Sequence, residues 1–160
     1  MDRLRSFAWR PRTTVILTIS LILILVSLVA SFMISNFKPT TQVHIGSGVY
    51  SPVVARTTPE LTQGLSSVKS IPMNGGLLMD FGTDGYHGIW MKDMNFPLDI
   101  VWLDKSKKVV YIVMNAPPEN PATTVFKSKD PARYVLEVPA GSVKKSGIKA
   151  GMVADFNIDV

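Results

Sequence analysis

Cysteine is absent from the 160 residues, so disulfides and lipoprotein processing are both excluded, and the fold must rest on its core alone. Histidine is nearly as scarce. His44 and His87 stand far apart, with no second ligand type two to four residues after either. A zinc site is therefore not expected, and no cofactor is. A Ser-His-Asp triad would need one of these two histidines, and the chain lacks a Gly-x-Ser-x-Gly elbow. No glycine-rich phosphate loop occurs; Gly46-Ser-Gly48 and Gly75-Gly76 read as isolated turns. Ser-x-x-Lys occurs at Ser66 to Lys69 and at Ser142 to Lys145, without the companion Ser-Asp-Asn and Lys-Thr-Gly segments. The second is better explained as a helix cap.

Charge is also missing where it would be needed for nucleic acid. The net +5 is split unevenly. Four arginines against Asp2 put +3 into the first 34 residues, and 13 Lys and Arg against 11 Asp and Glu leave only +2 for the rest. No basic stripe marks the remainder, so a nucleic-acid partner is not expected.

From Thr13 to Phe37 there is no charge at all, and Val15 to Ile34 is almost wholly apolar. At ~1.5 Å per residue such a run is expected to cross the ~30 Å of a bilayer's hydrocarbon. Arg3, Arg5, Arg10 and Arg12 precede it and Lys38 follows it, so the positive-inside rule places the N-terminus in the cytoplasm. A cleaved signal peptide would have a shorter apolar run and a better cleavage site than Leu28-Val-Ala30. The expectation is a signal anchor: a basic cytoplasmic tail over 1–12, a transmembrane helix over 13–35, a linker over 36–48, and an extracytoplasmic domain over 49–160. That places the chain in a prokaryotic plasma membrane as a single-pass protein.

Beyond the linker, strand signals dominate. Val49 to Ala55, Leu77 to Phe81, Ile89 to Met91, Leu98 to Leu103, Val109 to Met114, Tyr134 to Val138 and Met152 to Ile158 are short and rich in β-branched or aromatic residues. Asp104 to Lys108 reads as a hairpin loop. The spacing predicts a mostly β domain, a compact sandwich or barrel-like sheet. Two short helices are expected. Thr57 to Gly64 carries a Thr cap, a Glu three residues on and a terminal Gly, and Ser142 to Gly147 carries a Ser cap and a stop Gly. Pro117 to Pro131 has four prolines and reads as a long loop, either functional or a plain connector.

The segment His87 to Asp99 (HGIWMKDMNFPLD) concentrates the chemistry that remains. Pro97 forces Phe96 out of the helical region, so Asn95 to Leu98 reads as a turn. Asp99 then opens an apolar strand, where a carboxylate is expected to accept N–H bonds from the preceding Met94 to Phe96 turn. Lys92 is near enough in sequence to offset its charge. Trp90 and Trp102, on separate strands, would form an aromatic wall suited to a sugar or small polar ligand. A packed core has the same composition, so both readings stand. Glu137, alternating with Leu136 and Val138, points either away from the core or into an inner polar site.

Taken in order, Trp90-Met-Lys-Asp, Pro97-Leu-Asp-Ile, Tyr134-Val-Leu-Glu-Val-Pro-Ala-Gly141 and Gly147-Ile-Lys-Ala-Gly151 resemble the prokaryotic family called domain of unknown function 192, over roughly 49–158. Gln63-Gly-Leu-Ser66 stands where that family tends to have Arg-Gly-Leu-Met, and Gly76-Leu-Leu-Met79 where it has Gly-Met-Leu-Phe. Ile89 replaces a Phe, and Asp93 and Met94 replace an Asn-Thr pair. The resemblance implies a compact β-rich domain, often exported or membrane-anchored, and no established reaction.

Together these features lead to an expected non-catalytic extracytoplasmic domain that binds a small polar or glycan ligand or an envelope protein, at a rim formed by Trp90, Lys92, Asp93, Asp99 and Glu137. The rival expectations are a hydrolase acting on envelope carbohydrate with two of Asp93, Asp99 and Glu137 as acid and base, and a structural or assembly module.

Overall fold

The computed structural model describes residues 12–36, 41–119 and 123–158. The chain divides into two compact units, residues 1–38 and 39–160. In the first, α1 (Arg12–Asn36) is a 25-residue helix, and its side chains are described over residues 15–27, all exposed. Among the described residues no helix is long and apolar enough to cross a membrane. The expected transmembrane signal anchor is corrected by this finding. With it go the single-pass topology, the membrane partner and the plasma-membrane placement.

In the second unit the described strands are β1 (Val43–Ile45), β2 (Gly48–Tyr50), β3 (Val53–Ala55), β4 (Leu77–Gly85), β5 (Gly88–Trp90), β6 (Leu98–Leu103), β7 (Val109–Ala116), β8 (Val125–Lys127) and β9 (Ala132–Pro139). Helices α2 (Thr58–Gln63) and α3 (Ser142–Ser146) complete it. The main sheet has five strands in the order β3-β4-β9-β6-β7. It is mixed: β3 runs parallel to β4, and the other neighbours are antiparallel. Among the described residues no sheet closes into a barrel, and the remaining strands form two-stranded ribbons, β1-β2 and β5-β8. The expected sandwich or barrel-like domain is therefore corrected to one open mixed sheet with covers on both faces.

Those covers explain why the central strands read as near-continuous apolar runs. All six residues of β6 are buried, as are seven of the eight in β9, and a sheet covered on both sides loses the apolar–polar alternation of a half-exposed one. On one face Leu78, Val101, Leu103, Leu136 and Val138 pack with Val43, Tyr50, Val143, Ile148 and Phe156. On the other, Leu77, Met79, Ile100, Trp102 and Val135 pack with Leu65, Ile89 and Met91. Alternation along β6 and β9 sends Asp99 to the first face and Glu137 to the second. Each is an acid in an otherwise apolar row.

The short helices lie where their end signals place them. Thr57 and Glu60 form a reciprocal capping box at the start of α2. At α3 the cap differs from expectation: Gly141, in the left-handed region at φ 88°, holds the N-cap position, and no side chain caps from there. Three segments also depart from the sequence reading. β1 lies inside the expected linker, with Val43 fully buried. β8 lies inside the proline-rich segment. Residues 152–158 hold only isolated bridges, Val153 to Lys108 and Asp155 to His44.

Candidate functional site

α2 and the chain that follows it lie over the second face of the sheet. Three hydrogen bonds tie that chain to the Lys92 to Asn95 turn. The Ser67 N–H donates to the Asp93 carbonyl (2.8 Å), the Ser66 hydroxyl to the Lys92 carbonyl (2.8 Å), and the Asn95 amide to the Val68 carbonyl (2.9 Å). Ser67 and Asp93 both sit at positive φ, 65° and 55°, a backbone region that non-glycine residues rarely adopt. The distinctive Trp-Met-Lys-Asp stretch is thus, locally, one half of a clamp.

Beneath the clamp is a cavity of about 360 Å³. Leu61 and Leu65 line it from above, Met79 and Leu98 from the sheet, and Ile89 and Trp90 from β5. Its wall also includes Glu137. This carboxyl is 4% exposed, and its Oε2 has no hydrogen-bond partner. Burial pushes it up to about 7, because the charged form is disfavoured away from water. Its cross-strand neighbours, Leu77 on β4 and Ile100 on β6, offer no polar group. The backbone is close-packed at this point: a Cβ on Gly76 would come within 2.3 Å of the Glu137 carbonyl oxygen.

The five residues expected to form one rim are divided among three places. Trp90 and Glu137 line the cavity. Lys92 and Asp93 line an adjoining open cleft that shares Trp90, Thr58, Thr62, Gln63 and Ser66 with it. Lys92 is exposed, with its ammonium 5.8 Å from the Trp90 ring centroid. Asp99 lies on the opposite face. Its Oδ1 accepts the Asn115 N–H and its Oδ2 the Val143 N–H, both at 2.8 Å.

These bonds give Asp99 the structural role expected of it, with different donors. β7 bulges opposite Asp99, where the register steps from Leu98–Ala116 to Ile100–Val113, and Asn115 adopts φ 55°. The bulge leaves the Asn115 N–H outside the ladder, and the first turn of α3 leaves the Val143 N–H free. One carboxylate satisfies both.

The expected aromatic wall does not form either. Trp102 is fully buried and donates its indole N–H to the His87 carbonyl (3.0 Å), while Trp90 is 46% exposed. The three carboxylates of the rival hydrolase reading do not share one site: Asp99 and Glu137 stand on opposite faces of one sheet, and Asp93 lines the adjoining cleft and not the cavity that holds Glu137. Among the described residues no group of three or more His, Asp or Glu side chains could hold a metal ion. The Ser142 to Lys145 pair lines a separate cleft of about 250 Å³ beside Tyr50 and Ser146.

Sequence reasoning missed the apolar lining: Leu61, Leu65, Met79, Phe81, Met94 and Leu98. The capping box fixed α2, and Leu61 on it and Leu65 just past its end mark the inward side, but nothing in the sequence says that a cavity lies beneath them.

No curated protein matches the chain. Two crystal structures share its fold. A proposed transcription regulator from Sinorhizobium meliloti 1021 is 28% identical with a TM-score of 0.66, covering 72% of this chain and 91% of that one. A protein of unknown function from Novosphingobium aromaticivorans DSM 12444 is 26% identical with a TM-score of 0.66, covering 72% and 83%. The profile of DUF192, described as an uncharacterized ACR, matches residues 41–156. That range takes in β1 as well as the blocks around Trp90 and Glu137, and by it the chain belongs to the DUF192 family.

Proposed function

We propose that this domain binds a small, mostly apolar molecule in the cavity between α2 and the sheet, with Trp90 at its mouth and Glu137 in its wall. The observation that carries the reading is Glu137, a buried carboxyl in the wall of a mostly apolar cavity of about 360 Å³, whose Oε2 has no hydrogen-bond partner. A buried polar atom left without a partner costs about 1–3 kcal/mol, and a concave apolar site with few polar groups is what small-molecule sites usually are. The lining favours an apolar molecule over the glycan or polar ligand expected from sequence, because leucine, methionine, isoleucine and aromatic side chains outnumber the polar ones, Thr58, Thr62, Gln63, Ser66 and Glu137.

The test is saturable binding of the uncharged fluorophore N-phenyl-1-naphthylamine to the full chain and to Leu61→Trp. Leu61 is half-buried at the cavity's edge, so a larger side chain there fills the space without overpacking the sheet. Wild type is expected to show a saturable site that Leu61→Trp removes, with thermal stability retained. Equal binding by both proteins, or none by wild type, refutes the reading.

A further inference from the structure

We infer that the molecule held in this cavity is an apolar amine, with its ammonium group bound to the Glu137 carboxylate. The inference rests on the cavity being a binding site and names the chemical class that it takes. Three features of the site point to an apolar amine.

Glu137 is the one ionisable side chain among the described residues lining the cavity; no Lys, Arg or His shares the wall. The elements packed against it bring no counter-charge. β4 and β6 place Leu77 and Ile100 beside it in register, and α2 contributes Thr58, Leu61, Thr62 and Gln63, all uncharged. The nearest charged groups along the clamp, Lys92 and Asp93, are exposed and line the adjoining cleft instead.

Secondly, an ammonium supplies both things the carboxylate lacks, N–H donors and a positive charge, and charge-assisted bonds of this kind are the strong ones. An alcohol supplies a single hydrogen bond. A carboxylate ligand would add a second negative charge to a site that already holds one. Thirdly, the apolar remainder of the lining suits the hydrocarbon part of such a molecule.

Proton and ligand then compete for the same oxygen atoms. Burial raises Glu137 to about 7, so the bare site is mostly protonated in mild acid and must lose that proton to take an ammonium. Amine affinity should therefore rise with pH through neutrality.

Three probes of one shape decide the matter, titrated into the full chain by calorimetry at about pH 6 and about pH 8: 1-naphthylmethylamine, 1-naphthylmethanol and 1-naphthoate. At about pH 8 the amine is expected to bind at least about tenfold more tightly than the alcohol. The margin should narrow at about pH 6. In Glu137→Gln it should vanish while alcohol binding persists, which also shows that the variant is folded. Equal affinity for amine and alcohol, preference for the acid, or an amine preference that survives Glu137→Gln overturns the amine assignment and leaves the cavity standing. Failure of all three probes to bind overturns the cavity reading, and the amine assignment with it.

Discussion

The two faces of the central sheet each bury one carboxylate, and they treat it in opposite ways. On the face covered by α3, Asp99 is 1% exposed and each of its oxygens accepts a backbone N–H. On the face covered by α2, Glu137 is 4% exposed and has an oxygen with no partner. The residues are one step apart across the β6-β9 ladder, where Asp99 pairs with Val138 and Ile100 with Glu137. Depth alone does not separate them. What separates them is whether the covering element brings donors: α3 and the β7 bulge do, and the cavity under α2 does not. The first acid joins distant segments, and the second is held at a cost to stability, which is the usual mark of a site kept for function.

Removing the first carboxylate should have the largest effect. Asp99→Ala strands the buried Val143 N–H and the part-buried Asn115 N–H and should lose about 2–4 kcal/mol in urea unfolding of the full chain, at ~1–3 kcal/mol for a fully buried unsatisfied donor and less for the other. Asp99→Asn retains one acceptor oxygen and should lose about half as much. If Asp99→Ala were as stable as wild type, the structural half of this contrast would collapse.

Glu137 should respond with the opposite sign. Its folded pKa, about 7, lies above the ordinary glutamate value of 4.5. The unfolded chain therefore ionises first, and stability falls as pH rises from about 4.5 to about 7, then levels off. The loss above neutrality approaches about 3 kcal/mol at ~1.4 kcal/mol per pH unit. Glu137→Gln should recover most of it at about pH 8 and change little at about pH 4.5. A variant less stable than wild type at both pH values would show that the carboxyl has a partner after all.

A third carboxylate, nearer the surface, sharpens the contrast. Asp80 on β4 accepts from Arg133 at 2.9 and 3.2 Å and from the Gly82 N–H at 2.9 Å. Partial burial raises its pKa, but the bonds and charge of Arg133 and the Gly82 bond outweigh that and hold it below the usual value. Its contribution is therefore present above the ordinary Asp range and is lost as pH falls through the depressed pKa. Arg133→Gln should cost up to about 1 kcal/mol at neutral pH, and less in high salt, as for other partly exposed pairs. Smallest of all should be Lys92→Met. That side chain is exposed over Trp90, so its unfolding midpoint should stay within about 0.5 kcal/mol of wild type. A larger loss would make Lys92 part of the clamp through its side chain as well as its backbone.

Much of the local structure was legible in the residues themselves. The run from Leu98 to Leu103 read as a strand from its β-branched and aromatic residues, and Thr57 with Glu60 spelled out a helix start. The Asp104 to Lys108 loop showed in its charge and turn residues. β1 and β8 were not legible. Three residues each, they exist because a partner strand completes their hydrogen bonds, and so short a segment has no periodicity of its own to read. The open mixed sheet was mistaken for a sandwich because the same short strands serve either arrangement, and only the pairing order distinguishes them.

By its own sequence the chain determined where its strands and caps fall, that it has no cysteine chemistry, and that a few acids interrupt otherwise apolar rows. Those properties depend on residues within a few positions of one another. Only the tertiary structure decided that Asp99 joins a β7 bulge to α3, 16 and 44 residues away, and that Glu137 faces a cavity. The same alternation that makes neighbouring residues of a strand point apart put two acids from adjacent strands on opposite faces. What each then meets depends on how the chain returns to cover that face, and no local pattern encodes it.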